Sequence, residues 1–288
     1  MILVTGATGN LGSAVVDQLL KKKSADEIVC LARNEDKAQT LRDKGLQVII
    51  GDLEKVESLQ RAVQGINKVL LISTVDHHRF QQHKNLIDAA TTAGVKHIAY
   101  TSALIKDVAS SAVSAHLESH FQTENYIKKT GLTYSIFRNS LYADMIPIYV
   151  GKEVFEKGIY LPAGNGKVGY ALRREMGEAI ANTLVQTDIE SRIYELTGDE
   201  MYSYKDVADI LSEIAGENVY YTDADAVTFP DILKNLGIPE RIIMVASGFT
   251  TDIRNHQYEI VSPNLEQLLG RKPKNLSEAL KEIYGNKS

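Results

Sequence analysis

A chain of 288 residues, 44% hydrophobic and 24% charged, has the size and composition of one large globular α/β domain or of a nucleotide domain carrying a smaller lobe. The lone cysteine, Cys30, excludes an internal disulfide and any zinc site built from several cysteines, which fits a reducing compartment. A formal net charge of −5 disfavours a polynucleotide partner, because neutralising phosphates needs clustered Lys and Arg.

Ile2, Leu3 and Val4 run directly into a glycine-rich turn, so neither a signal peptide nor a membrane span is expected. From there, short apolar runs alternate with helical patterns, the rhythm of βαβ units on a parallel sheet. Strands are expected at Ile2 to Val4, Ile28 to Ala32, Val48 to Ile50, Val69 to Ile72, His97 to Tyr100 and Tyr134 to Phe137. Between them, Leu11, Val15, Val16, Leu19 and Leu20 recur at helical spacing, as do Leu86, Ala89, Ala90 and Ala93. Both stripes are expected to face the sheet as core.

Beyond Arg138 the pattern loosens. A glycine-rich loop at Gly164 to Gly169, a helix over Arg174 to Gln186 and a strand at Arg192 to Leu196 are expected. Further helices follow around Val207 to Ile214, Pro230 to Leu236, Pro239 to Ala246 and Leu276 to Ile283. The expected fold is α/β, a doubly wound parallel Rossmann sheet over residues 1–138. A smaller α/β substrate lobe is expected over 139–288, with parts of it returning to the sheet.

The strongest motif is Val4-Thr5-Gly6-Ala7-Thr8-Gly9-Asn10-Leu11-Gly12, with three glycines between the first strand and the first helix. Glycine permits the tight turn, lets backbone approach a pyrophosphate and allows close packing of helix on strand. The helix N-terminus adds free N–H groups and positive potential. The spacing is G-x-x-G-x-x-G, that of the short-chain dehydrogenase superfamily, which the segment resembles. At the end of the second strand, where a carboxylate would take a ribose 2′-hydroxyl, the chain has Arg33, suited to a 2′-phosphate; NADP is therefore the expected cofactor, with NADPH preferred over NADH. Asp52, after the third strand, is a candidate acceptor for the adenine amino group or alternatively a helix cap.

Short-chain dehydrogenases commonly pair a Tyr with a Lys four residues on, because the cation lowers the phenol pKa for proton exchange with substrate oxygen. None of the 14 tyrosines has Lys at that spacing. After the fifth strand, where the pair is expected, the chain reads His116-Leu117-Glu118-Ser119-His120-Phe121-Gln122-Thr123-Glu124. Two histidines four apart share a helical face, but Glu118 is misplaced for H-E-x-x-H and no third ligand is evident, so no metal is expected. His120 is a candidate for lining the nicotinamide pocket or relaying a proton, against a supporting hydrogen bond. Roles other than metal binding are expected for His77, His78 and His83. Tyr142 is placed to stack on a flat acceptor or to pack the lobe junction.

Taken together, Thr5 through Gly12, Leu70-Leu71-Ile72-Ser73, Gln82-His83-Lys84-Asn85, Ala99-Tyr100-Thr101-Ser102, His120 through Glu124, Arg138-Asn139 and Leu268-Leu269-Gly270-Arg271 resemble the NmrA-like atypical short-chain dehydrogenases. Within them, the likeness is to the bacterial type 2 NAD(P)H:quinone reductases and triphenylmethane dye reductases. The resemblance implies that Thr8, Asn10, Leu11, Arg33, Ser73 and Asn139 contact cofactor, beside a pocket at Ser102, His120 and Tyr142. It implies hydride transfer from NADPH to a flat conjugated acceptor, with a quinone first. Reduction of cationic dyes or imines, and a cofactor-binding sensor without turnover, are the alternatives. The chain departs from the family pattern at Ser140-Leu141, where Gly-Trp is expected, and at His116, where an apolar residue is expected. A cytoplasmic protein with a small-molecule electron acceptor as partner, and no nucleic acid or membrane, is the expectation; oligomeric state is left open.

Overall fold

The computed structural model describes residues 1–285. Among these residues nine strands form: β1 (Ile2–Val4), β2 (Ile28–Ala32), β3 (Gln47–Ile50), β4 (Lys68–Leu71), β5 (His97–Ala103), β6 (Thr133–Asn139), β7 (Ile159–Leu161), β8 (Arg192–Leu196) and β9 (Tyr221–Asp223). Seven make one parallel sheet in the order β3-β2-β1-β4-β5-β6-β8. The order reverses between β1 and β4, and the crevice outside the carboxyl ends of the strands at such a reversal is where α/β sheets take ligands.

The strands are buried on both faces, which is why they read as continuous apolar runs. Alternation then sorts each strand's side chains. Val4, Cys30, Leu70, Ala99 and Phe137 pack on one face against the Asn10–Leu19 and Arg173–Leu184 helices. Leu3, Val29, Leu71, Tyr100 and Ile136 pack on the other, under the Val56–Ala62, Arg79–Thr92 and Ser114–Lys128 helices.

The expected Arg192 to Leu196 strand forms as β8 and pairs with β6, extending the sheet beyond the six strands of the first half. The Arg173–Leu184 helix also returns to this sheet. It lies so close to the first helix that a Cβ on Gly177 would stand 2.8 Å from the Cβ of Ala14.

A third core gathers most of the remaining chain: Ile146, Leu161, Val168, Tyr170, Tyr204, Leu211, Phe229, Tyr258 and Leu280 are all buried in it. Here β7 pairs with β9, and the Phe229–Asn235 and Glu240–Arg254 helices form a hairpin. The glycine loop at 164–169 is structural, because a Cβ on Gly166 would fall 1.7 Å from the Ile253 carbonyl oxygen. Among the described residues no helix is long and apolar enough to cross a membrane.

Candidate dinucleotide and acceptor site

The glycine turn departs β1 with Gly6 at φ +62°, a conformation open to glycine and costly for residues with a Cβ. Its carbonyl accepts the Gly9 amide at 2.9 Å, which closes the turn. Gly12 lies in the first helix over that turn, where a Cβ would sit 2.0 Å from the Gly6 oxygen. The three glycines therefore do different work, and Gly12 serves the approach of helix to strand.

Thr8, Gly9 and Asn10 are exposed at the helix N-terminus, whereas Leu11 is buried beneath them. The helix start has no side-chain cap and no acidic residue in its first turn, leaving unpaired N–H groups and positive dipole potential facing outward. A helix start of this kind is suited to an anion such as a pyrophosphate.

At the end of β2, Arg33 is exposed and makes no hydrogen bond or ion pair among the described residues. The neighbouring acid Glu35 is occupied by Arg42, so Arg33 presents its fork free of an internal carboxylate. Asp52 is half-buried. One of its carboxylate oxygens accepts the Glu54 amide at 3.0 Å, a turn-capping contact, and the following helix begins instead with Lys55 at its cap. Ser73 follows β4 and donates its amide to the Thr101 hydroxyl at 2.9 Å.

Asn139 ends β6 with its Nδ2 donating to the Tyr142 hydroxyl at 3.1 Å. Its Oδ1 is buried with no partner among the described residues, which is the condition of a group completed by a bound molecule. Tyr142 has the Arg173 guanidinium 4.4 Å from its ring centre, and burial pushes its phenol pKa up. Tyr142 thus joins the helix that returns from the second half to the end of β6.

A buried polar layer lies under the carboxyl ends of β4 and β5. The Thr74 amide donates to His83 Nε2 at 3.3 Å, so the ring proton sits on Nδ1 and is given to Thr123 Oγ1 at 3.0 Å. Thr123 in turn donates to the Ser119 carbonyl at 2.8 Å. Burial, reinforced by the Arg79 cation, lowers the His83 pKa to about 3.

His120 is buried, with Nδ1 2.9 Å from the Tyr100 hydroxyl. A phenol is the better donor and an imidazole nitrogen the better base, so Tyr100 donates and the ring proton is held on Nε2. Among the described residues that Nε2 makes no hydrogen bond; the ring's one protein partner there is Tyr100. Burial and the nearby Arg79, His83 and His116 hold His120 well below the usual histidine range, so it is neutral at physiological pH. Burial likewise raises the Tyr100 phenol, which keeps its proton.

Beside this layer, Ser102 donates to Glu124 at 2.7 Å, and Arg138 closes on the same carboxylate with Nε at 2.9 Å and Nη2 at 2.7 Å. Glu124 is 1% exposed, so Ser102 is held as part of a clamp joining the Ser114–Lys128 helix to β5 and β6. Residue periodicity did not single out this clamp, Tyr100 or Arg79. Tyr100 lies inside an apolar strand, and Arg79 begins a helix with no local pattern to mark it.

The sheet reversal, the open glycine cradle and the absence of a Tyr–Lys pair define a dinucleotide-binding fold of the atypical short-chain dehydrogenase class. The sequence pattern of the NmrA-like family matches residues 1–282, and the chain belongs to that family. It is 32% identical over 287 residues to quinone oxidoreductase 2 of Escherichia coli, covering 99% of each chain. The crystal structure of NADPH-dependent quinone oxidoreductase from Escherichia coli, complexed with NADPH, superposes with a TM-score of 0.92 at 31% identity, covering 99% of this chain and 100% of that one. Triphenylmethane reductase of Citrobacter sp., complexed with NADP(H), gives a TM-score of 0.90 at 34% identity over 98% of this chain and 100% of the other. The family and fold expected from the motifs are borne out.

Proposed function

We propose that this chain is an NADPH-dependent oxidoreductase whose acceptor is a quinone. The observation that carries the reading is the pairing of an open, uncapped glycine cradle with a neutral His120 where a Tyr–Lys pair would stand. The quinone and dye reductases it resembles point the same way.

In this reading Thr8, Gly9, Asn10 and the first helix hold the pyrophosphate, with Gly6, Leu11 and Gly12 shaping the turn. Arg33 takes the 2′-phosphate, and Asp52 borders the adenosine side. Ser73 and Asn139 line the nicotinamide end, the buried Asn139 Oδ1 accepting from the cofactor. When bound, NADPH supplies the hydride.

The protein's own task is alignment and support of developing charge. A quinone spreads the incoming negative charge over its ring and oxygens, so a fully ionisable acid is not required. His120 Nε2–H offers a neutral hydrogen bond to an acceptor oxygen, with Tyr100 fixing the tautomer from behind. Tyr142 borders the acceptor side. Residues 1–138 hold most of the cofactor and supply His120, while 139–288 add Asn139 and Tyr142 and lend the Arg173–Leu184 helix and β8 to the sheet. A reducing cytoplasmic setting, where NADPH is available and Cys30 stays a thiol, suits this chemistry.

The test is NADPH absorbance decay by purified protein against a panel of quinones, with NADH and acceptor-free controls. Quinone-dependent decay favouring NADPH is expected. NADPH binding without decay against any quinone would overturn the reading and favour a sensor.

A further inference from the structure

Arg173 is a half-buried cation whose donors the fold leaves unused. Its guanidinium makes no hydrogen bond or ion pair among the described residues, and it lies over the Tyr142 ring, 4.4 Å from the ring centre. The backbone brings the two together. The Ala171 amide donates to the Leu141 carbonyl at 3.4 Å, and the Ala143 amide donates to the Ala171 carbonyl at 3.0 Å. Stacked on an aromatic face, an arginine keeps its fork of N–H groups available to a second partner.

The Arg173–Leu184 helix starts beside the first helix, and Gly177 lets the two approach, since a Cβ there would stand 2.8 Å from that of Ala14. Between the two starts lies a groove of about 450 Å³, lined by Asn10 and Ser13 of the first helix and by Asp144, Arg173 and Arg174 from the second half of the chain. Its other charged residues are already engaged. Arg174 is paired with Glu282 at 2.7 Å, and Asp144 serves the second helix, its Oδ2 accepting the Arg173 amide at 2.8 Å. The first helix has no such acid. Its Asn10, Leu11 and Gly12 amides come too early in the helix for an intrahelical acceptor, and the Asn10 and Ser13 side chains make no hydrogen bond among the described residues.

Arg33 follows β2 on one side of β1, whereas Asn139 and Tyr142 lie at and beyond the end of β6 on the other, so a dinucleotide crossing the reversal passes over the start of the first helix between them. Arg173 meets that path from the β6 side. The Tyr142 beneath it accepts a hydrogen bond from Asn139, whose Oδ1 is itself buried without a partner among the described residues. We propose that Arg173 is a cofactor-binding residue, its guanidinium closing on the pyrophosphate across the groove from the first-helix amides. A diphosphate is the ligand this geometry suits. A lone anion gains little, because the Asp144 carboxylate shares the groove and offsets the arginine's charge, whereas two phosphates already held by helix amides present oxygens to a directional fork. The clamp joins the two halves of the chain across the cofactor. It rests on the NADP(H) half of the proposed reaction and is independent of the acceptor.

Calorimetric titration with fragments of the cofactor tests this without turnover. 2′-Phospho-ADP-ribose carries the pyrophosphate and 2′-AMP does not. Arg173→Met keeps a flexible chain over Tyr142 but removes the donors; it is expected to bind 2′-phospho-ADP-ribose about tenfold more weakly, with 2′-AMP held within about twofold of the unaltered protein. NADP⁺ and NAD⁺ are expected to lose the same factor, because both carry the pyrophosphate, in contrast to Arg33→Ala. The loss is expected to shrink as salt is raised, which a purely packing role of the side chain would not show. Arg173→Lys retains the charge without the fork and carries the test if the methionine variant does not fold; a loss of about threefold for 2′-phospho-ADP-ribose alone is expected. Unchanged binding of 2′-phospho-ADP-ribose in the variants, or an equal loss for 2′-AMP, overturns the clamp while leaving cofactor binding intact. An unaltered protein that binds neither 2′-phospho-ADP-ribose nor NADP⁺ overturns the cofactor reading and the clamp with it.

Discussion

Arg33 and His120 show how far a single residue carries the argument. The place of Arg33 was legible because the end of the second strand is a fixed address in this fold, and among the described residues its side chain makes no hydrogen bond or ion pair. Replacing it, Arg33→Ala, is expected to weaken NADPH binding by ~1.5–3 kcal/mol, the scale of a charge-assisted hydrogen bond, and NADH binding far less. Calorimetric titration with both cofactors checks this; equal losses would refute the assignment. His120 was legible as a position but not as a protonation state. Its tautomer depends on Tyr100, twenty residues away in sequence and 2.9 Å away in space, and its low pKa depends on burial and on Arg79.

Two contacts between elements hold the site in shape. The first helix can sit on the turn only because Gly12 has no side chain. Gly12→Ala would drive a Cβ to 2.0 Å from the Gly6 oxygen, and backbone on both sides leaves no flexible group to yield. A loss of about 1–3 kcal/mol in urea unfolding is expected, together with weakened NADPH binding. At Gly9 the corresponding Cβ would lie 3.3 Å from the same oxygen, so Gly9→Ala is expected to cost less stability.

The second contact is the Glu124 clamp. Glu124→Leu would leave Arg138, which is 26% exposed, without its carboxylate and Ser102 without its acceptor. Because the freed Arg138 is partly solvated, the loss is expected on the scale of the charge-assisted hydrogen bonds removed, about 1.5–3 kcal/mol. Urea unfolding is the measurement, and a change below ~1 kcal/mol would show that the clamp contributes little. The helix and strands that meet here were each readable from periodicity. Their joining was not, because Glu124, Arg138 and Ser102 come from three separate segments.

For the molecule as a whole, several buried neutral histidines make stability depend on acid. Burial lowers His83 to about 3 and, aided by Lys68, lowers His97 to about 4, while His120 is held well below 6.5. The unfolded chain takes up protons near pH 6.5 that the folded chain refuses, so the unfolded state binds more protons below that point. Their contribution is complete above pH 6.5 and is lost as pH falls towards the folded values. The unfolding midpoint is therefore expected to be level, as far as these histidines go, from pH 7 to 8 and to drop between pH 6.5 and 5, a window in which most carboxylates remain ionised. Differential scanning calorimetry across that range checks it, and a midpoint flat down to pH 5 would refute it.

Local order was written into the chain itself. Buried parallel strands must be apolar throughout, helices facing them must repeat near 3.6, and a turn passing under a phosphate must be glycine-rich, so β1 through β6, the cradle and Arg33 could be read in order. Tertiary structure decided what sequence distance conceals. It placed β8 beside β6, set the Arg173–Leu184 helix against Ala14, gave Tyr100 to His120 and, among the described residues, bonded the buried Arg79 to Thr74, His116 and Ser119. Each of these depends on groups brought together from distant parts of the chain, where burial and electrostatics act through space and local periodicity carries no record of them.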